Sequence, residues 1–212
     1  VQGTTVAIQG MGNVGSITAK LLHREGMKII AVSDVSGGIY NPDGLNVPAI
    51  LDYLSLNRKN LLKDYNEEGM SRITNEELLE MDVRVLVPAA LENQINASNA
   101  HKIRAEVIVE AANGPVAADA DGILQDRGIT VVPDILANAG GVVVSYFEWV
   151  QNIQSVSWTE EEVNEKLKNI MDPAFEAVWD IAMKQNATLR TGAYLIAVKR
   201  VVEAKAARAI WP

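Results

Sequence analysis

The residues most suited to chemistry form a glycine-rich turn at residues 10–15, Gly-Met-Gly-Asn-Val-Gly, which directly follows a short apolar run. The spacing G-x-G-x-x-G between a strand and a helix is typical of a turn that binds the pyrophosphate of a dinucleotide. Gly10 permits the tight turn, Gly12 has no side chain to block the pyrophosphate, and Gly15 lets the helix pack closely on the strand. The turn therefore predicts a dinucleotide site.

The helix that follows the turn supplies hydrogen-bond donors for the phosphates. The first N–H groups of a helix have no partner within the helix, and the positive end of its dipole stabilises an anion. We predict that the backbone N–H groups of Asn13 and Val14 are the nearest donors. A turn that only packs a strand against a helix has the same spacing, so that alternative stays open.

An acidic residue, Asp34, ends the next apolar run at the separation that the dinucleotide fingerprint requires. In that place a carboxylate accepts hydrogen bonds from both ribose hydroxyls of the adenosine and repels a 2′-phosphate. No Lys or Arg follows until Arg58. We therefore predict NAD as the cofactor, with NADP possible, and Val35 as a further contact. Alternatively, Asp34 is a turn residue that leads into residues 36–38.

Strands and helices alternate along the first 132 residues. Apolar runs and glycine stops predict strands at residues 4–9, 28–33, 83–87, 106–110 and 129–132, with helices at 13–25 and 119–127 and a capping box from Thr74 to Glu77. Strands that are apolar on both faces predict a parallel sheet covered on each side. The predicted fold class is α/β, a Rossmann-like, doubly wound, mostly parallel sheet with helices on both faces.

A helical segment follows this predicted sheet. A second capping box, from Thr159 to Glu162, begins a helix that Pro173 is expected to interrupt, and a last helix covers residues 189–208. We assign residues 1–212 to a single dinucleotide-binding domain, with a Rossmann core at 1–158 and C-terminal helices at 159–212.

Composition narrows the classes of function. The 212 residues carry a net charge of −8 and no cysteine, which excludes disulfides, thiolate zinc sites and cysteine nucleophiles and disfavours nucleic acids and membrane surfaces as partners. The most apolar stretch, residues 135–147, is too short to span a membrane. His23 and His101 have no second ligand at metal spacing, and the acidic run 160–162 suits a helix start, so we predict no metal site. A cytoplasmic protein with a small-molecule partner fits best.

Five motifs in order along the chain resemble one family, the glutamate dehydrogenases of the hexameric bacterial and archaeal type, within the amino-acid dehydrogenase superfamily. The motifs are Val6–Gly15, Asn41–Leu45 (NPDGL), Val87–Ala90 (VPAA), Glu110–Pro115 (EAANGP) and Pro133–Val142 (PDILANAGGV). The following residues 145–152, SYFEWVQN, resemble the glutamate branch in particular. The resemblance covers nearly the whole chain.

This resemblance implies further site residues. It places Asp34 at the adenosine ribose, Ala89 and Ala90 along the nicotinamide half, Asn113 and Asn138 at the nicotinamide and its ribose, and Val142 and Ser145 beside the substrate, with Ser145 at its side-chain carboxylate. The implied reaction is the reversible oxidative deamination of L-glutamate to 2-oxoglutarate and ammonia.

The same resemblance implies that the catalytic residues, a lysine and an aspartate, belong to an N-terminal substrate domain that is absent here. Full-length members are about twice as long and end, like this chain, near residues 210–212, Ile-Trp-Pro. We therefore expect an isolated NAD(P)-binding domain that binds cofactor, contains no catalytic residue and does not turn over glutamate. The full-length enzyme is expected to be a homohexamer.

The last helix is apolar nearly all round at residues 194–198, and without a partner domain this surface should be exposed. The chain is therefore expected to self-associate or to have a mobile C-terminal helix. Two other functions stay open. One is the cofactor domain of a leucine, valine or phenylalanine dehydrogenase, which Ser145 and the Asn113-Gly114 pair disfavour. The other is a non-catalytic nucleotide-sensing module.

Overall fold

A computed structural model describes residues 1–208, so the expected chain end at residues 210–212 lies outside the described residues. The strands are Thr5–Gln9 (β1), Lys28–Asp34 (β2), Gly37–Tyr40 (β3), Ser71–Ile73 (β4), Val85–Pro88 (β5), Val107–Val109 (β6) and Thr130–Val132 (β7). The helices are Asn13–Arg24 (α1), Val47–Leu56 (α2), Asn75–Leu79 (α3), Ala118–Asp126 (α4), Asp134–Ala137 (α5), Gly140–Gln154 (α6), Glu160–Gln185 (α7) and Leu189–Ala207 (α8).

The seven strands of residues 1–208 form one sheet in the order β4-β3-β2-β1-β5-β6-β7. β1 is parallel to both β2 and β5, and β5 is parallel to β6. The predicted fold class is confirmed. Two strands were not predicted: β3 and β4 extend the sheet antiparallel beyond β2. Both strands are short, β4 lies at the edge of the sheet, and β3 begins at the glycine pair that the sequence suggests as a turn.

Apolar side chains cover both faces of the sheet because neighbouring residues of a strand point to opposite faces. On β1, Val6 and Ile8 belong to one buried cluster and Ala7 to the other. The first cluster is completed by α1 and α2, and the second by α3 and α4, through side chains such as Ala19, Ile50, Leu78 and Leu124. Helices on both faces therefore hold the carboxyl ends of β1, β2 and β5 in fixed places.

The predicted interruption at Pro173 is wrong, because α7 continues through it. An interior proline removes one backbone hydrogen bond and crowds the preceding turn, at a cost of roughly 3 kcal/mol. Val178 and Ala182 of α7 lie buried in one cluster with Leu189 of α8. Each fully buried aliphatic side chain contributes roughly 1.5–3 kcal/mol, so packing offsets the proline.

The chain divides into two compact units, Val1–Val131 and Val132–Pro212. The last strand ends at Val132, and α5 and α6 already precede Thr159, where the C-terminal helices are predicted to begin. Both predicted capping boxes are present, at α3 and α7.

The last helix, α8, has an exposed apolar surface, as expected for this chain alone. Tyr194, Leu195 and Val198 are 56%, 43% and 58% exposed. Among residues 1–208, no helix combines the length and the apolar character that crossing a membrane would require.

Candidate functional site

The predicted cofactor residues of the first unit follow the carboxyl ends of four neighbouring strands. Residues 10–15 follow β1, Asp34 ends β2, Ala89 and Ala90 follow β5, and Asn113 lies in the loop after β6. The strand order reverses at β1, since β2 lies on one side and β5 on the other. Ligands of open α/β sheets bind in the crevice at such a switch point. The structure thus brings these predicted residues to one edge of the sheet.

The three glycines of the turn have different surroundings. A Cβ on Gly15 would lie 1.7 Å from the Gly10 carbonyl oxygen, so only glycine allows α1 to start this close to the turn. Gly10 has a φ of +97°, and a Cβ there would lie 2.9 Å from the Ala89 carbonyl oxygen. Around Gly12, by contrast, no atom of the described residues other than the two adjacent in the chain lies within 4 Å of such a Cβ. Packing requires the two outer glycines, whereas Gly12 faces open space.

The N-terminus of α1 has the features of an anion-binding site. Gly12 occupies the capping position, and within the described residues no side chain caps it and no acidic residue lies in the first turn. The carbonyl of Gly12 accepts the N–H of Ser16, while the earlier N–H groups of Asn13 and Val14 belong to the first turn, which has no intrahelical partners. Both residues are exposed. The start of α1 therefore offers free donors and the positive end of the dipole.

Asp34 also holds the local chain together. Its Oδ1 accepts the backbone N–H of Ser36 at 2.7 Å and the Ser36 hydroxyl at 2.5 Å, and its Oδ2 accepts the N–H of Leu62 at 2.7 Å. A carboxylate has roughly four acceptor positions, so about one remains for a ligand. The turn-residue alternative therefore describes part of what Asp34 does. The neighbouring Val35 is 94% exposed, which is unusual for an apolar side chain at a strand end.

The structure brings a lysine to this end of β2 that the sequence does not suggest. The backbone N–H of Lys63 donates to the hydroxyl of Ser36 at 3.1 Å, and Lys63 is exposed. Arg72, by contrast, uses its guanidinium on the carbonyl oxygens of Leu62 and Tyr65. Lys63 was missed because it lies in a short 3-10 helix, Leu62–Asp64, far along the chain from Asp34.

That short helix leads into a tyrosine with a perturbed pKa. Burial, together with a 2.8 Å hydrogen bond from the Tyr65 hydroxyl to Glu67 Oε2 and the charge of Glu67, raises the pKa of Tyr65 to about 12. Burial and a nearby negative charge both disfavour the phenolate. Tyr65 therefore stays neutral and donates to Glu67 over the physiological range.

The turn after β1 and the segment after β5 are in direct contact. The N–H of Ala89 donates to the carbonyl of Gln9 at 2.8 Å, and the glycine at position 10 lies against Ala89 and Ala90. The loop after β6 begins with two N–H groups, of Ala111 and Ala112, that donate to the Pro88 carbonyl. These bonds set the predicted nicotinamide side of the site relative to the glycine turn.

Three buried or half-buried polar side chains near this edge were missed. Gln9 is 1% exposed, and its Nε2 donates to Gln94 Oε1 at 2.7 Å. Glu110 is fully buried and accepts the N–H of Val116 at 3.3 Å. Gln9 and Glu110 each lie at the end of an apolar run, which is a usable sequence indication. Gln94 has none, because its partner is far away in the sequence.

The remaining predicted residues belong to the second unit. Asn138 follows α5 and is half-buried, whereas Val142 and Ser145 are both exposed, one helical turn apart on α6. Residues three apart lie on the same side of a helix, so Val142 and Ser145 share one face. Within residues 1–208, no group of three or more His, Asp or Glu side chains is arranged to hold a metal ion.

Comparison with known proteins identifies the family of this chain. Residues 1–209 match the family model described as Glutamate/Leucine/Phenylalanine/Valine dehydrogenase. The chain is 52% identical to NADP-specific glutamate dehydrogenase A1 of Halobacterium salinarum, over 98% of this chain and 49% of that protein. It is 50% identical to the catabolic NAD-specific glutamate dehydrogenase RocG of Bacillus subtilis, over 96% of this chain and 47% of that protein.

A solved structure shows the same architecture. The hetero-hexameric glutamate dehydrogenase of Thermus thermophilus, in its leucine-bound form, superposes with a TM-score of 0.88 and 33% identity, over 100% of this chain and 49% of that one. The chain thus spans about half the length of the relatives it matches. With a family model that covers almost every residue, the chain belongs to the glutamate/leucine/phenylalanine/valine dehydrogenase family.

Proposed function

We propose that this chain binds NAD(H) through its pyrophosphate, at Gly12 and the first turn of α1. One observation carries the proposal. Neighbouring backbone atoms leave no room for a Cβ at Gly10 or Gly15, whereas of the three glycines only Gly12 faces open space. That space lies beside the uncapped start of a helix at the switch point of the sheet. A turn that only packs gives no reason for a third glycine where a side chain would meet nothing.

The two halves of the dinucleotide lie on opposite sides of β1 in this proposal. The adenosine ribose meets Asp34 and Val35 at the end of β2, and Asp34 accepts one ribose hydroxyl rather than two, because its other positions are occupied. The nicotinamide half extends over Ala89 and Ala90 after β5, towards Asn113. The strand order β2-β1-β5-β6 supports this separation, because it places Asp34 on one side of β1 and the segments after β5 and β6 on the other.

We propose that NAD is preferred over NADP by a modest margin. The Asp34 carboxylate opposes a 2′-phosphate, but three donors from the chain already offset part of its charge, and Lys63 lies next to Ser36. The relatives include both NAD-specific and NADP-specific enzymes. A single charged side chain at the end of β2 is therefore expected to tune the preference rather than to set it alone.

Calorimetric titration with NAD⁺ and NADP⁺ tests both proposals. The chain should bind NAD⁺ more tightly, and Asp34→Asn should shift the ratio of the two dissociation constants towards NADP⁺ by roughly tenfold, the change that about 1.4 kcal/mol produces. Asp126→Asn, at the exposed end of α4, is the matched control and should leave the ratio unchanged. Absence of binding to both nucleotides would overturn the dinucleotide site, and tighter binding of NADP⁺ would overturn the predicted preference.

For the whole protein we propose glutamate dehydrogenase activity, with Asn138 as a further cofactor contact and Val142 and Ser145 beside the substrate. NAD⁺ would accept the hydride from glutamate and become NADH, and this chain would hold the dinucleotide. We propose that the 212-residue chain alone does not oxidise glutamate, that it self-associates through its exposed apolar helix surface, and that the full-length enzyme is a homohexamer. Formation of NADH from glutamate and NAD⁺ by this chain alone would contradict the first of these, and a monomer in analytical ultracentrifugation the second.

A further inference from the structure

A hydrogen bond between two side-chain amides, one buried and one half-buried, joins the two segments that carry the two halves of the proposed site. Gln9 ends β1 directly before the glycine turn, and Gln94 lies in the segment after β5. Gln9 Nε2 donates to Gln94 Oε1 at 2.7 Å, in a place where Gln9 is 1% exposed. This bond links residues 85 positions apart in the sequence. It is therefore a tertiary link rather than a local turn.

Gln9 depends on Gln94 for its orientation. Among the described residues, Gln9 Oε1 is buried and has no hydrogen-bond partner, so the Nε2 bond is what fixes the amide. A buried amide that loses its only partner leaves both of its polar atoms unsatisfied, which is strongly unfavourable. Gln94 makes two further bonds within its own segment: its Nε2 donates to the Glu92 carbonyl, and its backbone carbonyl accepts from the Asn99 side chain.

Gln94 in turn lies between the two predicted nicotinamide segments. The neighbouring N–H groups of Asn93 and Ile95 donate to the carbonyls of Gly114 and Pro115 at 2.8 and 2.9 Å. These carbonyls directly follow Asn113. The segment after β5 is thus tied to the glycine turn by the amide pair on one side and to the loop after β6 on the other.

We propose that Gln9 and Gln94 are positioning residues that set residues 89–95 under the nicotinamide half of the bound dinucleotide. This inference rests on the proposed dinucleotide site and adds residues that act on one half of the ligand. The proposed adenosine and pyrophosphate contacts, at Asp34 and Gly12, are held by other bonds: Asp34 accepts from Ser36 and Leu62, and the Gly12 carbonyl accepts from Ser16. Loss of the hydrogen bond between Gln9 and Gln94 therefore weakens the binding of the nicotinamide half alone.

The test compares NAD⁺ with ADP-ribose, which lacks the nicotinamide ring. Gln94→Met removes the acceptor but keeps the length of the side chain, whereas Gln94→Glu keeps an acceptor for Gln9. In Gln94→Met the ratio of the dissociation constants for NAD⁺ and ADP-ribose should rise roughly tenfold. In Gln94→Glu, and in Gln125→Met on the exposed side of α4, the ratio should stay within about twofold. A purely structural role would weaken both ligands equally.

Two results would overturn the inference. One is an unchanged ratio of the dissociation constants for NAD⁺ and ADP-ribose in Gln94→Met, and the other is a rise of this ratio in Gln94→Glu that equals the rise in Gln94→Met. If Gln94→Met does not fold, Gln94→Asn, which keeps an amide but shortens its reach, carries the same expectation. Hydrogen exchange of residues 89–95 without ligand should be faster in Gln94→Met than in the control, and equal rates would also count against the pair. If the chain without substitutions bound neither NAD⁺ nor ADP-ribose, the proposed function itself would be overturned. That outcome differs from one in which both ligands bind and Gln94→Met leaves the ratio of their dissociation constants unchanged.

Discussion

Replacing Gly12 by alanine should separate folding from cofactor binding. The backbone of Gly12 has a φ of −78°, which alanine adopts without strain, and apart from the two adjacent residues no atom of the described residues lies within 4 Å of the added Cβ. The methyl group would instead occupy the open space in front of the first turn of α1. That space is where the pyrophosphate is proposed to bind.

The expected magnitudes differ between the two properties. Alanine is poorer than glycine at a helix N-cap by about 0.5–1 kcal/mol, but it lowers the entropy of the unfolded chain by an equivalent of about 0.4–1 kcal/mol. The free energy of unfolding should therefore change little. For binding, a methyl group that displaces the phosphate removes at least one charge-assisted hydrogen bond, worth about 1.5–3 kcal/mol, so the affinity for NAD⁺ should fall roughly 10- to 100-fold.

Thermal unfolding and calorimetric titration of Gly12→Ala would measure both effects. Gly122→Ala is a matched control, because Gly122 lies within α4, where an added Cβ likewise meets no atom of residues 1–208 within 4 Å apart from its chain neighbours and the backbone of its own helix. It should raise stability by up to about 1 kcal/mol and leave NAD⁺ binding unchanged. If Gly12→Ala bound NAD⁺ as tightly as the unchanged chain, the assignment of the open space to the pyrophosphate would be refuted.

Gly15→Ala should behave in the opposite way: its Cβ would lie 1.7 Å from the Gly10 carbonyl oxygen, so we expect a loss of about 3 kcal/mol or more and a melting temperature lower by roughly 10 °C, and a shift of only a few degrees would contradict the packing argument. The folded pKa of Tyr65, about 12, lies above the usual value of 10.0, so its contribution to stability is complete below pH 10 and is lost as the pH rises through 12. Spectrophotometric titration should show a tyrosine hydroxyl that ionises only near pH 12, and Glu67→Gln should lower the pKa of this hydroxyl. An unchanged titration in that variant would exclude the contribution of Glu67. Thr159→Ala removes the capping box of α7 and should cost about 1 kcal/mol in urea unfolding, whereas an unchanged midpoint would mean that the cap adds nothing.

The sequence predicts the centre of the sheet well because the information there is local. The unit β1-α1-β2 depends on apolar runs, a glycine turn and a helix stop that lie within 34 residues, and its bounds agree with the prediction to within one residue. The capping boxes at Thr74 and Thr159 are equally local and are both confirmed. The environments of Gly10 and Gly15 match the roles that the fingerprint gives them.

The features that were missed depend on distant partners. β3 and β4 pair with each other across more than thirty residues, and neither has a long apolar pattern of its own. The continuity of α7 through Pro173 is decided by packing onto α8, which no local propensity expresses. Lys63 beside Ser36 and Gln94 beside Gln9 are likewise products of the fold. Local patterns therefore predict the phosphate turn, and tertiary contacts add the residues around it.

The unequal surroundings of the three glycines have a consequence for how this gene can change over time. In a lineage that no longer needs the nucleotide, substitutions at position 12 carry almost no folding penalty, whereas those at positions 10 and 15 remain selected against by the fold itself. The motif should then decay from its middle glycine outwards. A homologue with Gly-x-Ala-x-x-Gly at this turn would be expected to keep the fold and to have lost dinucleotide binding.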